Sequence, residues 1–393
     1  MKKYFIFAAA AALMVAACQK SQTESQVIDP DENLPEGTKV PILFGSNVKS
    51  TATKTKSYGS LDALEGRTLV VYGIERNKRY SDLLNFENGI LIDGVSATLG
   101  TGTDSLEVKN PETGEYYFYS NSKFYDFFGY YIDDMSAEPD VVEESGALGQ
   151  ITSPIAIDGS QDVLVAKAER KDTTVNNIWV SKSRQFSAYT ARKDINPNLH
   201  FEHQLARLKF KITNGNEPGS SRVISLSKFG VISPTEATLY VASNDTTGTA
   251  AWATFHENFN AYLDTTGYEA SKDTLFLKAR NATTLESEAI ASYTIPAAGE
   301  SEAFGESIMV LPGLAEYPLV FYVTQDDYSS TATTPILQTE TIAIPGGAKA
   351  GVSYTINLTI YGLEKIVITV DLEEWDEYDD EINIGEDEDE TAE

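Results

Sequence analysis

The sequence predicts an all-β protein built as two β-sandwich domains in series, and three observations support this prediction. Apolar residues recur mostly at every second position, the spacing of a half-buried strand, rather than at every third or fourth. The apolar stretches are short and end at Gly, Pro, Asn, Asp or Thr, as strands joined by turns do. No long helical pattern is present, and 393 residues are enough for two domains.

The predicted strands follow one another along the whole chain. In the first half they cover residues 40–44, 68–74, 116–119, 124–132, 163–166 and 186–190. In the second half they cover residues 205–212, 237–242, 274–278, 307–311, 319–324, 341–344, 353–361 and 366–372. Single helical turns are expected at 60–64 and 81–84. The boundary between the two domains is expected near Asn196, Pro197 and Asn198.

One predicted strand alternates more clearly than the others. Its apolar set is expected to share one face of the strand: Ala206, Leu208, Phe210 and Ile212. Its cationic set is expected to share the opposite face: Arg207, Lys209 and Lys211. This stretch therefore predicts a strand with one face in the core of the second domain.

Residues 1–17 have the pattern of an export signal, with a basic start and an apolar run too short to span a bilayer, which takes about 20 residues. Residues 15–18, Val-Ala-Ala-Cys, resemble the lipobox of bacterial lipoproteins. By this resemblance Cys18, the only cysteine, is lipidated, and Gln19 after it allows passage to the outer membrane. The alternative is a plain secretory signal that ends in cysteine. Residues 18–38 are expected to form a polar tether.

The formal net charge of −29 argues against nucleic acid or an anionic membrane surface as a partner. The charge is uneven, because residues 371–393 contain 14 acidic residues and no Lys or Arg. We expect residues 385–393 to form an acidic disordered tail. The two sandwich domains are then expected to cover residues 39–197 and 198–384.

The sequence contains no recognisable catalytic motif, so the chain is predicted not to be an enzyme and to need no metal or cofactor. His200 and His203 are three residues apart, which places them on opposite faces of a strand, and His256 is distant in sequence. These histidines are too few for a zinc site, and residues 376–381 lack the spacing of a calcium-binding EF-hand loop. Three tryptophans are candidates for a sugar-binding platform or, more commonly, for core or edge packing: Trp179, Trp252 and Trp375.

Several stretches, taken in order, carry a resemblance to a known family. They are an aromatic strand at 123–131, the sequence Q-D-V-L-V-A at 161–166, H-F-E-H-Q-L-A-R-L at 200–208, and a C-terminal pair at 351–358 and 366–375. Together with the lipobox and the first strands, they resemble the fimbrillin family of Bacteroidetes, the subunits and accessory proteins of type V pili. The resemblance implies that each domain is a transthyretin-like (Greek-key) β-sandwich. It also implies a structural role for His203.

In that family, subunits assemble by donor-strand exchange: a protease removes an N-terminal strand, and the C-terminal segment of a neighbouring subunit fills the groove. By resemblance, the candidate removable strand contains Val40, Ile42 and Phe44. The candidate cleavage points are Lys54 or Lys56, with Arg67 second. The candidate donor residues are Ile366, Ile368, Val370, Leu372, Trp375, Ile382 and Ile384. The alternatives are that the lysines belong to a solvated loop and that residues 366–372 form an ordinary last strand.

The predicted function is therefore that of a structural subunit, stalk or tip, of a type V-like pilus that supports adhesion. Its expected partners are other pilus subunits, the outer membrane through the lipid anchor, and a receptor on a host or bacterial surface. Its expected location is the outer membrane and the fimbrium on the cell surface. One alternative is a non-polymerising surface lipoprotein of the same fold that binds a host glycan or protein. Another is a lipoprotein or enzyme of glycan utilisation.

Overall fold

The computed structural model describes residues 35, 38–45, 68–80, 82–99, 105–132, 142–144, 149–244, 262–264, 271–280, 287–326, 334–363 and 365–374. Almost all of the regular structure in these ranges is β-strand, so the predicted all-β class is confirmed. Several predicted features lie outside the described residues: residues 1–17, most of the tether, Cys18, Lys54, Lys56, Arg67, Trp252, His256, Trp375, Ile382, Ile384, the turn at 60–64 and residues 385–393.

The strands are numbered in chain order. The first twelve are β1 (Phe44–Gly45), β2 (Thr68–Glu75), β3 (Ile90–Leu99), β4 (Ser105–Glu107), β5 (Tyr125–Ile132), β6 (Val142–Glu144), β7 (Gln150–Ala156), β8 (Val163–Ala168), β9 (Thr173–Val175), β10 (Ile178–Val180), β11 (Leu199–His203) and β12 (Ala206–Asn214). The others are β13 (Val223–Pro234), β14 (Glu236–Ser243), β15 (Tyr262–Asp264), β16 (Lys272–Phe276), β17 (Lys278–Arg280), β18 (Ser287–Ala289), β19 (Tyr293–Thr294), β20 (Ser301–Val310), β21 (Glu316–Asp326), β22 (Ile336–Ala343), β23 (Val352–Ile360) and β24 (Ile366–Glu374). A one-turn 3-10 helix (Lys182–Arg184) and a short helix α1 (Ala188–Ala191) separate β10 from β11.

The predicted strand at 186–190 is wrong, because this stretch forms a left-handed residue followed by a short helix. Phe186 has φ of 58°, a conformation that a strand does not contain. Ser187 then caps α1, and a reciprocal capping box joins it to Thr190. The predicted helical turn at 81–84 is also wrong over its described part, since Leu84 forms a bridge with Arg76.

A seven-stranded sheet in the order β1-β4-β3-β2-β5-β8-β11 closes on itself. Gly45, at one edge, forms a parallel bridge with Asn198, directly before the strand at the other edge. Its amide also donates to the carbonyl of Pro197 at 3.0 Å. The enclosed side chains form what we call the barrel core: Val40, Ile42, Phe44, Leu69, Val71, Ile92, Val95, Ala97, Leu106, Val108, Tyr119, Tyr125, Phe127, Tyr131, Leu164, Ala166, Ala168, Phe186, Ala188, Leu199 and Phe201.

The central strands of this sheet are buried on both faces. All eight residues of β5 are buried, and its outward-facing aromatic residues pack against a second sheet, ordered β15-β14-β7-β6. In that sheet β14 pairs antiparallel with β7, from Glu236 opposite Ala156 to Ser243 opposite Gln150. Strands on either side of the predicted domain boundary are therefore direct neighbours.

Two further sheets, β20-β12-β23-β24 and β16-β13-β21-β22 with β19 also paired to β13, surround a separate cluster that we call the second core. The pairs β9-β10 and β17-β18 form two-stranded sheets. The apolar face predicted for β12 is confirmed, since Ala206, Leu208, Phe210 and Ile212 are all buried there. Among the described residues, no helix is long and apolar enough to cross a membrane.

Candidate functional site

The candidate site is the N-terminal segment, which we define as residues 40–45, together with the wall that it covers. The segment runs along the chain stretch that precedes β5. Ile42 donates its amide to the carbonyl of Tyr117 at 2.8 Å, and Tyr119 donates to the carbonyl of Val40 at 3.0 Å. The segment then joins β4, where Phe44 lies opposite Leu106. Backbone hydrogen bonds therefore hold it as an added strand.

The side chains of this segment alternate between the core and solvent, as in a strand. Val40, Ile42 and Phe44 are at most 6% exposed and belong to the barrel core. Leu43, between them, is 42% exposed. The structure therefore brings the three residues of the candidate removable strand together on one buried face. Pro41 suits this edge position, since its missing N–H is tolerated where the ladder is short.

Aromatic rings form the wall of the barrel core beneath this segment. The ring of Phe44 meets that of Phe127 edge to face, with centroids 5.1 Å apart. The rings of Tyr119, Tyr125 and Phe186 surround Phe127 at 5.7–6.3 Å. The wall is close-packed: a Cβ added at Gly73 would lie 2.9 Å from Phe127 Cε1. The sequence indicated an aromatic strand here but did not indicate that Phe186 completes the wall.

The apolar contacts of the segment are substantial. Burying three side chains of this size at about 1.5–3 kcal/mol each contributes roughly 5–9 kcal/mol before the cost of ordering the chain. Removing the segment would expose this apolar face and also the unpaired edges on both sides of it. The arrangement can therefore act as a strand-binding groove that the chain fills with its own residues.

A buried guanidinium positions one part of this wall. The side chain of Arg76 is fully buried and donates to the carbonyls of Arg79 at 2.9 Å, Gln185 at 3.0 Å and Ser183 at 3.2 Å. Because Gln185 directly precedes Phe186, these bonds fix the loop that delivers the Phe186 ring to the barrel core. Burial lowers the pKa of Arg76 to about 10, so the guanidinium stays charged at neutral pH.

One carboxylate lies beside this guanidinium. Asp126 Oδ1 is 3.8 Å from Arg76 Nε and 2.8 Å from Arg170 Nε. Burial raises the pKa of Asp126, and the neighbouring Arg170 and Arg76 oppose that rise. Arg170 also reaches Asp82 at 2.6 Å, and this hydrogen bond lowers the pKa of Asp82. The sequence around Arg76, Arg-Asn-Lys-Arg, resembles an exposed basic loop and gives no sign of this cluster.

The described candidate donor residues, Ile366, Ile368, Val370 and Leu372, lie on β24. β24 pairs with β23 along its whole length, from Val352 opposite Glu374 to Ile360 opposite Ile366. Ile366, Ile368 and Val370 pack against the second core, whereas Leu372 is 63% exposed. The structure therefore does not bring these residues to the N-terminal segment. The edge of β24 that faces away from β23 has no partner strand among the described residues.

His203 makes a buried contact that joins the end of β11 to the start of β8. Its Nδ1 lies 2.7 Å from Asp162 Oδ2, and both side chains are at least nine-tenths buried. The other oxygen of Asp162 accepts from the amide of Val163 at 2.9 Å. His200 and His203 both lie on β11. Within the described ranges, no group of His, Cys, Asp and Glu could hold a metal.

We expect His203→Ala to lower the free energy of unfolding by about 1–3 kcal/mol, because it leaves the Asp162 carboxylate buried without its imidazole partner. Urea unfolding followed by circular dichroism measures the change. His200→Ala on the same strand is the matched control, with an expected loss below about 1 kcal/mol. Equal losses in the two variants would contradict a structural role for the contact.

Comparisons with known proteins were made by sequence and by structure. No protein-family model and no curated protein matches the sequence. Among solved structures, a fimbrial protein from Bacteroides vulgatus is similar at 14% identity with a TM-score of 0.47, over 86% of this chain and 99% of that chain. A protein with a proposed cell-adhesion role from Bacteroides uniformis is similar at 13% identity with a TM-score of 0.40, over 87% and 100%. Another, from Parabacteroides distasonis, is similar at 11% identity with a TM-score of 0.41, over 86% and 97%.

Proposed function

We propose that this chain is a structural subunit, stalk or tip, of a type V-like pilus. In this proposal it is exported as a precursor lipidated at Cys18 and held at the outer membrane. It then assembles by protease-triggered donor-strand exchange and supports adhesion. Each half of the chain is a transthyretin-like β-sandwich unit.

The observation that carries the proposal is the N-terminal segment itself. Its Val40, Ile42 and Phe44 fill a core otherwise lined by residues 69–201, and its backbone closes the sheet at Gly45. A segment held only by edge hydrogen bonds and three buried side chains is one that a strand of the same pattern can replace. The order of apolar residues in β24 offers such a pattern, with Ile366, Ile368 and Val370 on one face.

The linker between this segment and β2 supplies the proposed cleavage points. Lys54 and Lys56 lie between Gly45 and the start of β2 at Thr68. A cut after either residue separates the segment from the sheet without touching β2. A cut after Arg67 would fall directly at the first residue of β2, so the lysines are the preferred points.

A second function is favoured by the position of β24. Its complete pairing with β23 and its packing on the second core are what an ordinary last strand would show. A surface lipoprotein of the same fold that never polymerises, and binds a host glycan or protein, would keep both this strand and the N-terminal segment in place.

Intact mass and SDS gel electrophoresis of the protein from cell-surface material separate the two functions. For a pilus subunit we expect a chain beginning at Thr55 or Ser57, and a ladder of oligomers that heating dissolves. Strand-exchanged joints persist in detergent because they dissociate only by slow unfolding. The double variant Lys54→Gln/Lys56→Gln should keep the acylated Cys18 terminus and run as a monomer.

The matched control is Lys272→Gln, an exposed lysine on β16, which should leave the mass and the ladder unchanged. If the wild-type chain still begins at Cys18 and runs only as a monomer, the polymerising function is excluded. The non-polymerising surface lipoprotein then takes its place.

A further inference from the structure

One end of the closed sheet gathers much of the positive charge of an acidic protein. We define the basic end as the described residues of three segments, 76–89, 120–124 and 167–194, which are the loops after β2, before β5 and after β8. Contacts hold these loops together. Arg170 reaches Asp82 at 2.6 Å, the Arg76 guanidinium lies 5.4 Å from the ring centroid of Phe124, and Arg76 bonds Ser183 and Gln185.

The charge of the basic end is opposite in sign to that of the rest of the chain. Its three segments contain eleven Lys and Arg and five Asp and Glu, in a chain with 30 basic and 59 acidic residues. Glu75 and Asp126, on the adjoining strands, pair with Lys123 and Arg170 of this set. Counting these two acids as well, the region still has a net charge of about +4, so it attracts anions at short range.

Apolar side chains are exposed at the same end. Tyr80 and Leu83 project from the loop after β2 and are 61% and 52% exposed. Ile178 and Trp179 lie on the hairpin of β9 and β10 and are 48% and 65% exposed. The two turn residues of this hairpin, Asn176 and Asn177, have φ of 50° and 61°, the conformation of a tight two-residue turn.

These observations identify a partner with many carboxylates and a few large apolar side chains. Residues 375–393 have this chemistry, since they contain eleven Asp and Glu and no Lys or Arg. They also contain four large apolar side chains: Trp375, Tyr378, Ile382 and Ile384. We infer that the basic end is the docking site for residues 375–393 of a second copy of this chain.

The topology places the start of the acidic segment and the basic end at opposite ends of β11, so a second copy in head-to-tail arrangement brings the two together. The basic end lies where β11 begins, because Leu199 pairs with Ala168 directly before the loop after β8. The last described residue before the acidic segment, Glu374, lies at the other end of β11. Glu374 pairs with Val352. The next residue, Ser353, accepts a hydrogen bond from Arg207 Nε at 3.1 Å, and Arg207 lies at the start of β12, shortly after β11 ends. Opposite charges at opposite ends give head-to-tail association.

This inference deepens the proposed function, because it names a contact between successive subunits. It does not depend on cleavage or on strand exchange. The contact is electrostatic and should weaken with salt, whereas a strand-exchanged joint should not. The docking contact and the strand-exchanged joint can therefore be tested, and can fail, independently of each other.

The first test measures binding of a synthetic peptide of residues 375–393. The receptor is the full chain with the eleven acids of its own segment replaced by their amides, so that no internal copy competes. We expect binding by fluorescence anisotropy at about 0.02 M salt and about tenfold weaker binding at about 0.2 M. The triple reversal Lys78→Glu/Lys171→Glu/Lys182→Glu, at exposed positions of the basic end, should weaken binding at least about tenfold.

The matched control is Lys211→Glu/Lys272→Glu/Lys365→Glu, which makes the same change in net charge at exposed lysines outside the basic end. It should weaken binding less than about threefold. Equal losses in the two triple variants would overturn the inference. A heparin-derived oligosaccharide that binds more tightly than the peptide, and with the same sensitivity to the reversal, would also overturn it and assign the site to an anionic glycan.

The second test asks whether the contact forms between copies. The variant whose eleven acids are replaced by amides lacks the acidic half of the contact. The variant Lys78→Glu/Lys171→Glu/Lys182→Glu lacks the basic half. Mixed at low salt, they should form a heterodimer in sedimentation velocity, while each alone remains monomeric. A mixture that stays monomeric would show that the segment does not bind a second copy, and would overturn the inference.

Discussion

Phe44→Ala is expected to lower the free energy of unfolding of the closed sheet by about 3–5 kcal/mol, the range for removing a buried aromatic side chain from a core. The side chain is 5% exposed and its ring meets that of Phe127 edge to face at 5.1 Å. The change removes the largest apolar contact of the N-terminal segment and leaves a cavity above the aromatic wall. It should therefore also loosen the segment.

Urea unfolding gives the overall change, and amide hydrogen exchange of β2 and β5 assigns it to the closed sheet. Leu43→Ala, one residue away and 42% exposed, is the matched control, with an expected loss below about 1 kcal/mol. In cell-surface material Phe44→Ala should also hasten cleavage of the linker. A loss in Phe44→Ala no larger than that in the control would show that the segment contributes little to the core.

Arg76→Ala is expected to have an effect of similar size, about 3–5 kcal/mol, because it removes one partner of a buried ionic cluster. The carbonyls of Arg79, Ser183 and Gln185 lose their donor, and Asp126 loses one of its neighbouring cations while it keeps Arg170 at 2.8 Å. The loop that holds Phe186 should then detach from the wall. We expect faster hydrogen exchange of residues 183–187 as the first sign of this change.

Two variants make this prediction specific. Lys78→Ala, an exposed residue of the same loop, should change the free energy of unfolding by less than about 0.5 kcal/mol. Arg76→Lys keeps the charge, but a single ammonium group cannot donate to all three carbonyls as the planar guanidinium does. This variant should therefore recover only part of the stability. Full stability in Arg76→Lys would mean that the charge alone matters.

The strands that the sequence predicted correctly are those whose apolar residues alternate or form continuous runs. β12 alternates and β5 contains five aromatic residues in eight, so local composition was enough to locate both. β13 was not predicted, because a bulge between Ser227 and Gly230 shifts its register and interrupts the alternation. β7 contains Pro154, which usually argues against a paired strand, although here it lies opposite Thr238.

The parts of the candidate site that were missed depend on contacts between distant residues. Val40, Ile42 and Phe44 could be grouped from the sequence as one face of a strand, since the alternation of a strand is local, and all three are buried in the barrel core. The buried state of Arg76 depends on carbonyls more than 100 residues later in the chain, at Ser183 and Gln185. The left-handed conformation of Phe186 follows from the same loop geometry. Neither the burial of Arg76 nor this conformation can be inferred from the adjacent residues in the sequence.

The pairing of β14 with β7 has a consequence for the order in which the chain matures. Glu236 pairs with Ala156, 80 residues earlier, and Asn244 bonds Leu84 across 160 residues. During synthesis or threading through an export channel, the closed sheet emerges long before the strand that covers its outer face. The closed sheet, whose last strand β11 ends at His203, must therefore wait with the outward rings of β5 uncovered by β14 until a further 33 residues have emerged and β14 begins at Glu236.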